Sequence, residues 1–430
     1  MTNPKEINSS SRLYYSWCIL ASSFVILFFS SGARSSFGVL LKPMITELGW
    51  NRGSISLAFF LNMIFLSLSI IVAGKLYDRY GPKWVIAIST LFISSGYILI
   101  SFIDFLWQFY ICYGVLAAIG MGGTSVPLFA ALISKWFTKW RGLIISLTLS
   151  GSCLGQFVLI PIFSHFALQY GWRSTYLLIG LIMFAVNITL TLLVIKKNPD
   201  DLSQKPYGRE DDDKMGKISE TISLREASGD LGLRDAMRTN SFWFFSLVMF
   251  ICGSGDFLVT THLVPFVTDQ GISSTTASNM LAWFGLMGLA GILIAGPLSD
   301  LIGNKIPIAL TFLLRFMSFI LILYDQSLTS SYIFALTFGF TFLITAPLST
   351  TLIGRIYGFS HIGLLTGFIN TIHFLGGGFW TYLGGWIFDQ TGSYRLAFIL
   401  SAITALAAFV SSLLITEKKA IPPKIPKPSS

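Results

Sequence analysis

The chain has 430 residues, of which 53% are hydrophobic and 11% are charged, and its mean hydropathy is +0.71. A soluble globule of this length needs more polar surface, so the composition excludes one and predicts a protein of the lipid bilayer. The formal net charge of +9 could indicate a protein that binds nucleic acid. The placement of the basic residues, taken up below, argues against that class.

Twelve apolar segments follow one another along the chain, each of roughly 20 residues or more and so long enough to cross about 30 Å of hydrocarbon as a helix. We number them spans 1 to 12, with predicted limits 14–41, 52–73, 84–103, 106–134, 142–163, 174–195, 241–266, 274–299, 306–324, 329–352, 360–386 and 394–415. A polar stretch separates spans 6 and 7. We therefore predict an all-α membrane protein with an N-terminal six-helix bundle (1–195), a cytoplasmic linker (196–240), a C-terminal six-helix bundle (241–415) and a cytoplasmic tail (416–430).

The basic residues predict the orientation of the chain. Of 29 Lys and Arg, 23 fall on the side that holds both termini and the linker. The loops of the other side hold Lys42, Arg52, Arg173 and Arg395. Because cytoplasmic loops are enriched in Lys and Arg, both termini are predicted to be cytoplasmic, in a multi-pass protein of the plasma (inner) membrane. The first apolar run lacks a small-residue cleavage site and leads straight into a second span, so no cleaved signal peptide is expected.

A repeat relates the two halves of the chain. GKLYDRYGPK at 74–83 returns as GPLSDLIGNK at 296–305, with five of ten positions identical at an offset of 222 residues. The same offset relates Pro43 to Pro265 and Gly49 to Gly271, while an offset of 221 relates Gly155 to Gly376. The pattern predicts two parallel repeats, an arrangement that lets two bundles rock about a central site.

Several stretches resemble the major facilitator superfamily over nearly the whole chain. GKLYDRYGPK is similar to that superfamily's loop between helices 2 and 3. FGVLLKPMITELGW (37–50), KWRGLIISLTLSGSCLG (139–155), THLVPFVTDQGIS (261–273) and GGWIFDQTGSY (384–394) resemble the branch of monocarboxylate transporters and oxalate/formate exchangers. The resemblance implies a twelve-helix fold with two six-helix parallel repeats and secondary transport by alternating access.

The repeated loop is a candidate gate on the cytoplasmic side. Glycines there allow tight turns and close helix approach, and the charges can hold helix ends together as a latch. The alternative is a role in topology and packing alone. The candidate gate residues are Gly74, Asp78, Arg79, Gly81, Lys83, Asp300, Gly303 and Lys305.

Charged residues inside the spans are candidates for substrate binding or proton coupling, because ionised groups in a membrane are costly and mark functional pathways. Arg34 in span 1 and Asp256 in span 7 are related by the offset of 222 residues, which predicts that they face each other at one depth. We expect Arg34 to attract an anion and Asp256 to pair with Arg34 as an outer gate or to take up a proton. A permanent structural ion pair is the alternative.

The resemblance places His373 of span 11 where the oxalate/formate exchangers carry a lysine that resembles a carboxylate ligand. An interhelical hydrogen bond is its alternative role. Arg315 in span 9 is expected to snorkel, to pair with another residue or to meet the pathway, and His262 lies at a proline kink by Pro265. Cavity-lining residues are predicted at Asn62, Tyr113, Gln156, His262, Trp283, Arg315 and Asn370, with interhelical hydrogen bonding or packing as the alternative.

One departure from the branch bears on the substrate. The resemblance implies an arginine in helix 8, but 274–299 contains neither Lys nor Arg, and Ile292 is near the expected place. The sequence predicts a secondary transporter for a small organic anion, monocarboxylate-like, driven by proton symport or exchange. The alternatives are an efflux carrier for a drug-like or siderophore-like compound and a transporter-like nutrient sensor.

No enzymatic role is expected, because nucleotide-loop, nucleophile and metal-ligand patterns are lacking. No cofactor or metal is therefore predicted. The expected partners are the small-molecule substrate, protons and lipid, without nucleic acid, and two bundles in one chain suffice for a functional monomer.

Overall fold

A computed structural model describes residues 8–202, 206–208, 231–358 and 360–417. Parts of the predicted linker and of the predicted C-terminal tail, and the residues at the start of the chain, lie outside these ranges. Apart from one isolated bridge between Phe137 and Tyr207, the regular structure of the described residues is helical. The predicted all-α membrane fold is confirmed, since eleven of these helical segments are long and apolar enough to cross a bilayer.

The helices of the first half follow the predicted spans. They are Asn8–Ser35 and Phe37–Leu48 for span 1, Arg52–Tyr80 for span 2, Pro82–Ile100 for span 3, the segments Leu106–Phe109, Tyr110–Ala117, Ala118–Gly123 and Val126–Trp136 for span 4, and Arg141–Leu193 for spans 5 and 6. At 1.5 Å per residue, a helix of 53 residues is far longer than a bilayer is thick. Gly171, with φ 81° and ψ 165°, breaks it into the two expected spans.

The second half repeats the arrangement. After a short helix Leu233–Ala236, the spans are Asn240–Asp269 (7), Ser274–Ile302 (8), Lys305–Tyr324 (9), Leu328–Phe342 with Thr345–Tyr357 (10), Ile362–Thr391 (11) and Arg395–Leu414 (12). We call the face with the repeated loops, at Gly81 and Gly303, the motif face. The face with the turns at Gly49, Gly171, Gly271 and Gly392 is the far face.

Spans 4 and 10 are each interrupted midway. In span 4 a π-helical segment, Tyr110–Ala117, precedes a break at Thr124 and Ser125, and Pro127 lies in the first turn of the helix that follows. In span 10 the break is at Leu343 and Ile344, shortly before Pro347. Proline is tolerated in a first helical turn because its missing N–H has no partner to lose there. Pro127 and Pro347 therefore lie in the first turn of the second helical segment of spans 4 and 10, at similar positions in the two halves.

Glycine contacts show the repeat in three dimensions. A Cβ atom on Gly155 would lie 2.0 Å from the Phe28 carbonyl oxygen, and one on Gly376 would lie 2.2 Å from the Phe250 carbonyl oxygen. The offset that relates the glycines is 221 and the one that relates the phenylalanines is 222. Each half therefore brings its first and fifth helices together through the same backbone contact.

The two halves touch mainly on the far-face side. Gly38 of span 1 packs on Thr260 of span 7, its own equivalent in the repeat, so closely that a Cβ there would lie 2.5 Å from the Thr260 carbonyl oxygen. Span 2 packs on span 11 through Gly385 against Arg52, and span 5 meets span 8 where Gln156 Nε2 donates to the Leu281 carbonyl oxygen at 3.1 Å. Toward the motif face the halves separate.

Candidate functional site

A cavity of about 510 Å³ lies between the two halves. It begins at the Gly38–Thr260 contact, is lined one helical turn further on by Arg34 and Asp256, and extends toward the motif face past Ile70 and Gly367. Its volume lies within the range of ligand-binding pockets, roughly 300 to 1,000 Å³. The breaks of spans 4 and 10 also border it. The cavity is the candidate site.

Arg34 lies at the far-face end of this cavity. It has no carboxylate partner among the residues that the structure describes. Its guanidinium carbon lies 5.1 Å from the ring centre of Phe257 and 5.8 Å from that of Phe374. Its Nη2 donates to the Met63 sulfur at 3.7 Å, a weak acceptor. Two aromatic faces therefore hold a guanidinium whose strong hydrogen-bonding capacity is largely unused.

Asp256 does not pair with Arg34, so the expected ion pair across the cavity is wrong for this conformation. Asp256 Oδ1 lies 2.6 Å from Arg315 Nη2, and both side chains are almost fully buried within the second half. At this distance between opposite charges the contact is an ion pair. Arg315 is fixed by Thr341, which accepts from Nε at 3.1 Å and, through its carbonyl, from Nη2 at 2.9 Å.

His373 lines the cavity beside this pair. Its Nε2 lies 3.8 Å from Asp256 Oδ2, which is too far for a hydrogen bond. Gly253 brings the two helices together, because a Cβ there would overlap the His373 carbonyl oxygen. The imidazole is therefore held near Asp256 without a direct hydrogen bond to its carboxylate.

Cys252, Asp256 and His373 present ligand atoms within 4.8 Å of one another, close enough for a metal ion. Arg315 already supplies positive charge to the carboxylate and donates to the Cys252 carbonyl oxygen at 3.2 Å. A cation would have to displace it. The arrangement suits an internal ion pair better than a metal centre.

Only some of the other residues predicted to line the cavity do so. Gln156 and Asn370 line the cavity. Asn62 is buried and donates to the Tyr113 carbonyl oxygen at 2.7 Å, while Tyr113 stacks on Phe37 at 4.8 Å. Both side chains are engaged in contacts between helices of the first half. The prediction that they line the cavity is therefore wrong.

The prediction of cavity lining is also wrong for Trp283, Arg315 and His262. Trp283 is 42% exposed on the outer surface, where it packs on Phe157. Arg315 lies behind Asp256, in agreement with the expectation that it pairs. His262 is buried near the far face, where Nδ1 contacts the Tyr394 hydroxyl and Nε2 the Thr381 carbonyl oxygen, each at 2.9 Å.

Charged residues at the far face join the two halves. Asp269 of span 7 accepts from Arg52 Nη1 at 2.7 Å and from Lys42 Nζ at 2.9 Å. Asp389 of span 11 accepts from the backbone N–H groups of Arg52 and Gly53 at 3.0 and 2.7 Å, so it caps span 2. We call Lys42, Arg52, Asp269 and Asp389 the far-face cluster. Sequence reasoning treated its basic members only as loop charges.

Tyr394 extends this cluster into the second half. Its hydroxyl accepts from Arg52 Nη1 at 2.9 Å and contacts His262. Burial raises the pKa of the Tyr394 phenol, against the opposing effect of Arg52, so the hydroxyl keeps its proton. One acidic position from each of spans 7 and 11 thus meets basic residues of spans 1 and 2. The cluster closes the far face.

The motif face shows no matching closure within the described ranges. Asp78, Arg79 and Asp300 are exposed, Lys83 and Lys305 are partly buried, and no ion pair is found for them there. Gly81 and Gly303 end spans 2 and 8 with φ of 85° and 79°, as turns that favour glycine.

Gly74 makes no close approach, since a Cβ there would meet no atom within 4 Å. The expected close helix contact at Gly74 is therefore not made while the halves stand apart. The backbone N–H groups of Asn304 and Lys305 donate to Glu417 at 2.8 and 2.7 Å, which ties the end of span 12 to the second loop.

Comparisons with known proteins decide the family. The model of the Major Facilitator Superfamily matches residues 23–272 and 245–430. The chain belongs to the major facilitator superfamily. A transporter of Bacillus subtilis (strain 168), YcxA, described as an uncharacterized MFS-type transporter, is 27% identical over 407 residues, covering 92% of this chain and 95% of the relative.

Named carriers are also among the relatives of this major facilitator. Monocarboxylate transporter 13 of Bos taurus is 24% identical over 404 residues, covering 94% of this chain and 89% of that protein. The oxalate:formate antiporter of Oxalobacter formigenes is 23% identical over 430 residues, covering 99% and 97%. The resemblance to this branch and the prediction of a non-enzymatic carrier are confirmed.

A solved structure shares the fold. The bacterial homolog of the human lysosomal transporter Spinster, in an inward-facing and unoccupied conformation, aligns with a TM-score of 0.71 at 16% identity, covering 93% of this chain and 97% of that one. At such identity the likeness shows the fold alone. It agrees with the twelve-span prediction.

Proposed function

We propose that this major facilitator moves a small organic anion, monocarboxylate-like, by alternating access with proton symport or exchange. The observation that carries the proposal is Arg34, a cation at the inner end of the cavity with no carboxylate partner among the described residues. An unpaired charge in a bilayer protein is costly, so its retention favours a function that supplies the counterion. A carboxylate solute supplies it.

The chemistry of Arg34 supports carboxylate binding. A guanidinium stays charged when it is desolvated, and its planar fork matches two carboxylate oxygens in parallel. The faces of Phe257 and Phe374 hold that fork without consuming its N–H donors. Names of relatives are consistent with such a substrate, since they include monocarboxylate and oxalate:formate carriers.

Alternating access requires that the two ends of the cavity open in turn. We propose that the motif face is cytoplasmic, in line with its excess of Lys and Arg, with both termini on that side of the plasma (inner) membrane. The conformation described is then inward-open. In the opposite state the far-face cluster separates and the repeated loops close, with Asp78, Arg79 and Lys83 facing their counterparts.

Coupling is assigned to Asp256 and His373. His373 is faced by Asp256 and Cys252 from span 7, with Arg315 of span 9 behind the carboxylate and Arg34 of span 1 across the cavity. A proton on His373 or Asp256 adds positive charge near an anion held by Arg34, so anion and proton are favoured together. Replacement of His373 by Gln tests this. Under symport, anion uptake by the wild type is accompanied by proton uptake, and the variant loses that proton uptake. Under exchange, anion uptake is accompanied by no proton uptake in either protein.

The domain limits and the oligomeric state belong to the same proposal. Two six-helix bundles, over 1–195 and 241–415, joined by the linker 196–240 and followed by the tail 416–430, enclose one cavity. One chain therefore suffices as a functional monomer.

Ligand-dependent stabilisation of the purified protein tests the proposal. A panel of carboxylates, amino acids and hydrophobic cations is compared for the shift in unfolding temperature, with wild type, Arg34→Gln and the exposed control Arg395→Gln. Carboxylates are expected to stabilise wild type and Arg395→Gln but not Arg34→Gln. Stabilisation only by cations or large apolar compounds would overturn the anion proposal and favour the efflux carrier, which the apolar residues of the cavity wall also fit.

A further inference from the structure

The wall around Arg34 is apolar over most of its area. Phe257, which stacks on the guanidinium, lies 5.7 Å from Phe59 between ring centres, and Phe59 lies 5.2 Å from Phe37. All three rings line the cavity, together with Phe374 and with the aliphatic side chains of Leu27 and Leu66. Phe37 and Phe59 are only 2% and 3% exposed, so they support the wall from behind. The aromatic surface that adjoins the charge is formed by Phe257 and Phe374.

Several hydroxyl groups in the cavity wall leave it largely apolar, because their hydrogens are already used within the protein. Ser67, Thr260 and Thr371 line the cavity, but each donates its hydroxyl hydrogen to a carbonyl of its own helix, at 2.8, 2.9 and 3.0 Å. A hydroxyl used in this way offers a solute no donor. Among the residues that line the cavity, no second Lys or Arg accompanies these hydroxyls.

The charges that line the cavity balance one carboxylate. Among the lining residues, Arg34 is the single Lys or Arg and Asp256 the single Asp or Glu. Asp256 is neutralised by Arg315 at 2.6 Å, which leaves Arg34 as the permanent charge. His373 adds a charge there only while it carries a proton. A second carboxylate on the solute would be desolvated against apolar side chains without a partner, at a large cost.

From these observations, and on the basis of the proposed function, we infer that the preferred substrate is a monocarboxylate with a bulky apolar body, aromatic or branched, not a two- or three-carbon acid or a dicarboxylate. The carboxylate binds Arg34, and the body lies along Phe374, Ile70 and Phe342, on the wall that continues toward the motif face. A short acid would leave most of the 510 Å³ to water. Each additional methylene buried on this wall is worth about a fourfold gain in affinity.

The test measures dissociation constants of the purified wild-type protein for acetate, propionate, phenylacetate and 3-phenylpropionate. Two matched compounds are added: 3-phenylpropionamide, which lacks the charge, and phenylsuccinate, which carries a second one. The inference predicts affinity at least tenfold higher for 3-phenylpropionate than for acetate, and at least a tenfold loss for the amide and for the dicarboxylate. Arg34→Gln removes the preference for the acid over the amide, and Arg395→Gln leaves it unchanged.

A second variant separates the wall from the charge. Phe374→Ala is expected to weaken binding of 3-phenylpropionate several-fold and to change acetate binding much less, a pattern that general loss of folding does not produce. Arg34-dependent binding that is as tight for acetate or for dicarboxylates as for the aryl acids would overturn the inference and leave the proposed function standing. Absence of any Arg34-dependent carboxylate binding would overturn the proposed function itself.

Discussion

At the scale of single residues, the position of Arg34 follows from the local chain. It lies in the last turn of the helix Asn8–Ser35, just before the kink at Ser36. The Ala33 carbonyl oxygen accepts from the Ser36 backbone N–H at 3.3 Å, from the Ser36 hydroxyl at 2.7 Å and from the Tyr97 hydroxyl at 3.1 Å. The end of the helix is thus fixed, and Arg34 is held on the cavity side.

Substitution of Arg34 separates charge from geometry. Arg34→Gln is expected to lower the affinity for a carboxylate by about tenfold to a hundredfold, the worth of hydrogen bonds to a charged group. Arg34→Lys keeps the charge but not the fork, so an intermediate loss is expected. Half-saturation constants for uptake in proteoliposomes provide the measurement. Equal constants for Lys and Gln variants would show that the charge is not what binds the solute.

The ion pair of Asp256 and Arg315 predicts a stability effect. Removing one partner of a buried pair leaves the other charge uncompensated and costs about 3 to 5 kcal/mol. Asp256→Asn is therefore expected to lower the unfolding temperature strongly, and the double variant Asp256→Asn with Arg315→Met to recover most of the loss. Thermal unfolding in detergent measures both. A double variant no more stable than Asp256→Asn would contradict the account of this pair.

The partner of Asp256 could not be read from the repeat. An internal repeat fixes depth in the bundle, and it correctly brings both Arg34 and Asp256 to the cavity. It does not fix which neighbour a side chain selects. Arg315, held by two bonds to Thr341, lies within the same half and is reached without crossing the cavity. The nearer, preorganised partner takes the carboxylate.

At the scale of elements, the fold was predictable because apolar length and loop charge act locally. The limits of spans 7, 8, 9 and 12 lie within a few residues of the predicted ones. The π-helical segment Tyr110–Ala117 was not predicted. It depends on packing between helices, which periodicity and composition do not encode.

The glycine contacts make a prediction about helix packing. Leucine at Gly155 or Gly376 would drive a side chain into the carbonyl of Phe28 or Phe250, so each variant is expected to lose several degrees of thermal stability. The matched controls are Gly74→Ala and Gly296→Ala, where a Cβ meets nothing within 4 Å. Similar losses in the controls and in the leucine variants would contradict the repeated contact.

At the scale of the whole molecule, we expect the far-face cluster to control which side is open. Asp269→Asn weakens the contacts with both Lys42 and Arg52, so the population with an open far face is expected to rise. Spin labels at Thr46→Cys and Thr275→Cys, exposed positions on opposite halves, report it by pulsed distance measurement. The variant is expected to show a longer distance component. An unchanged distribution would show that the cluster does not close the far face.

The far-face cluster marks the limit of sequence reasoning at this scale. Arg52 and Asp269 are far apart in the chain and lie next to turns in different halves. Their pairing exists only when the two bundles tilt together at this face, and the exposed charges at the motif face are its counterpart in the same conformation. A single sequence describes the bundles but not their relative tilt.

The most direct test of the central claim, that Arg34 anchors a monocarboxylate in an alternating-access cavity, is counterflow in proteoliposomes. Vesicles preloaded with an unlabelled monocarboxylate are diluted into a trace of the labelled one, with wild type, Arg34→Gln and Arg395→Gln. The account predicts transient accumulation of label in wild type and Arg395→Gln, and none in Arg34→Gln. Equal accumulation in Arg34→Gln, or transport of apolar cations with no movement of any monocarboxylate, would contradict it.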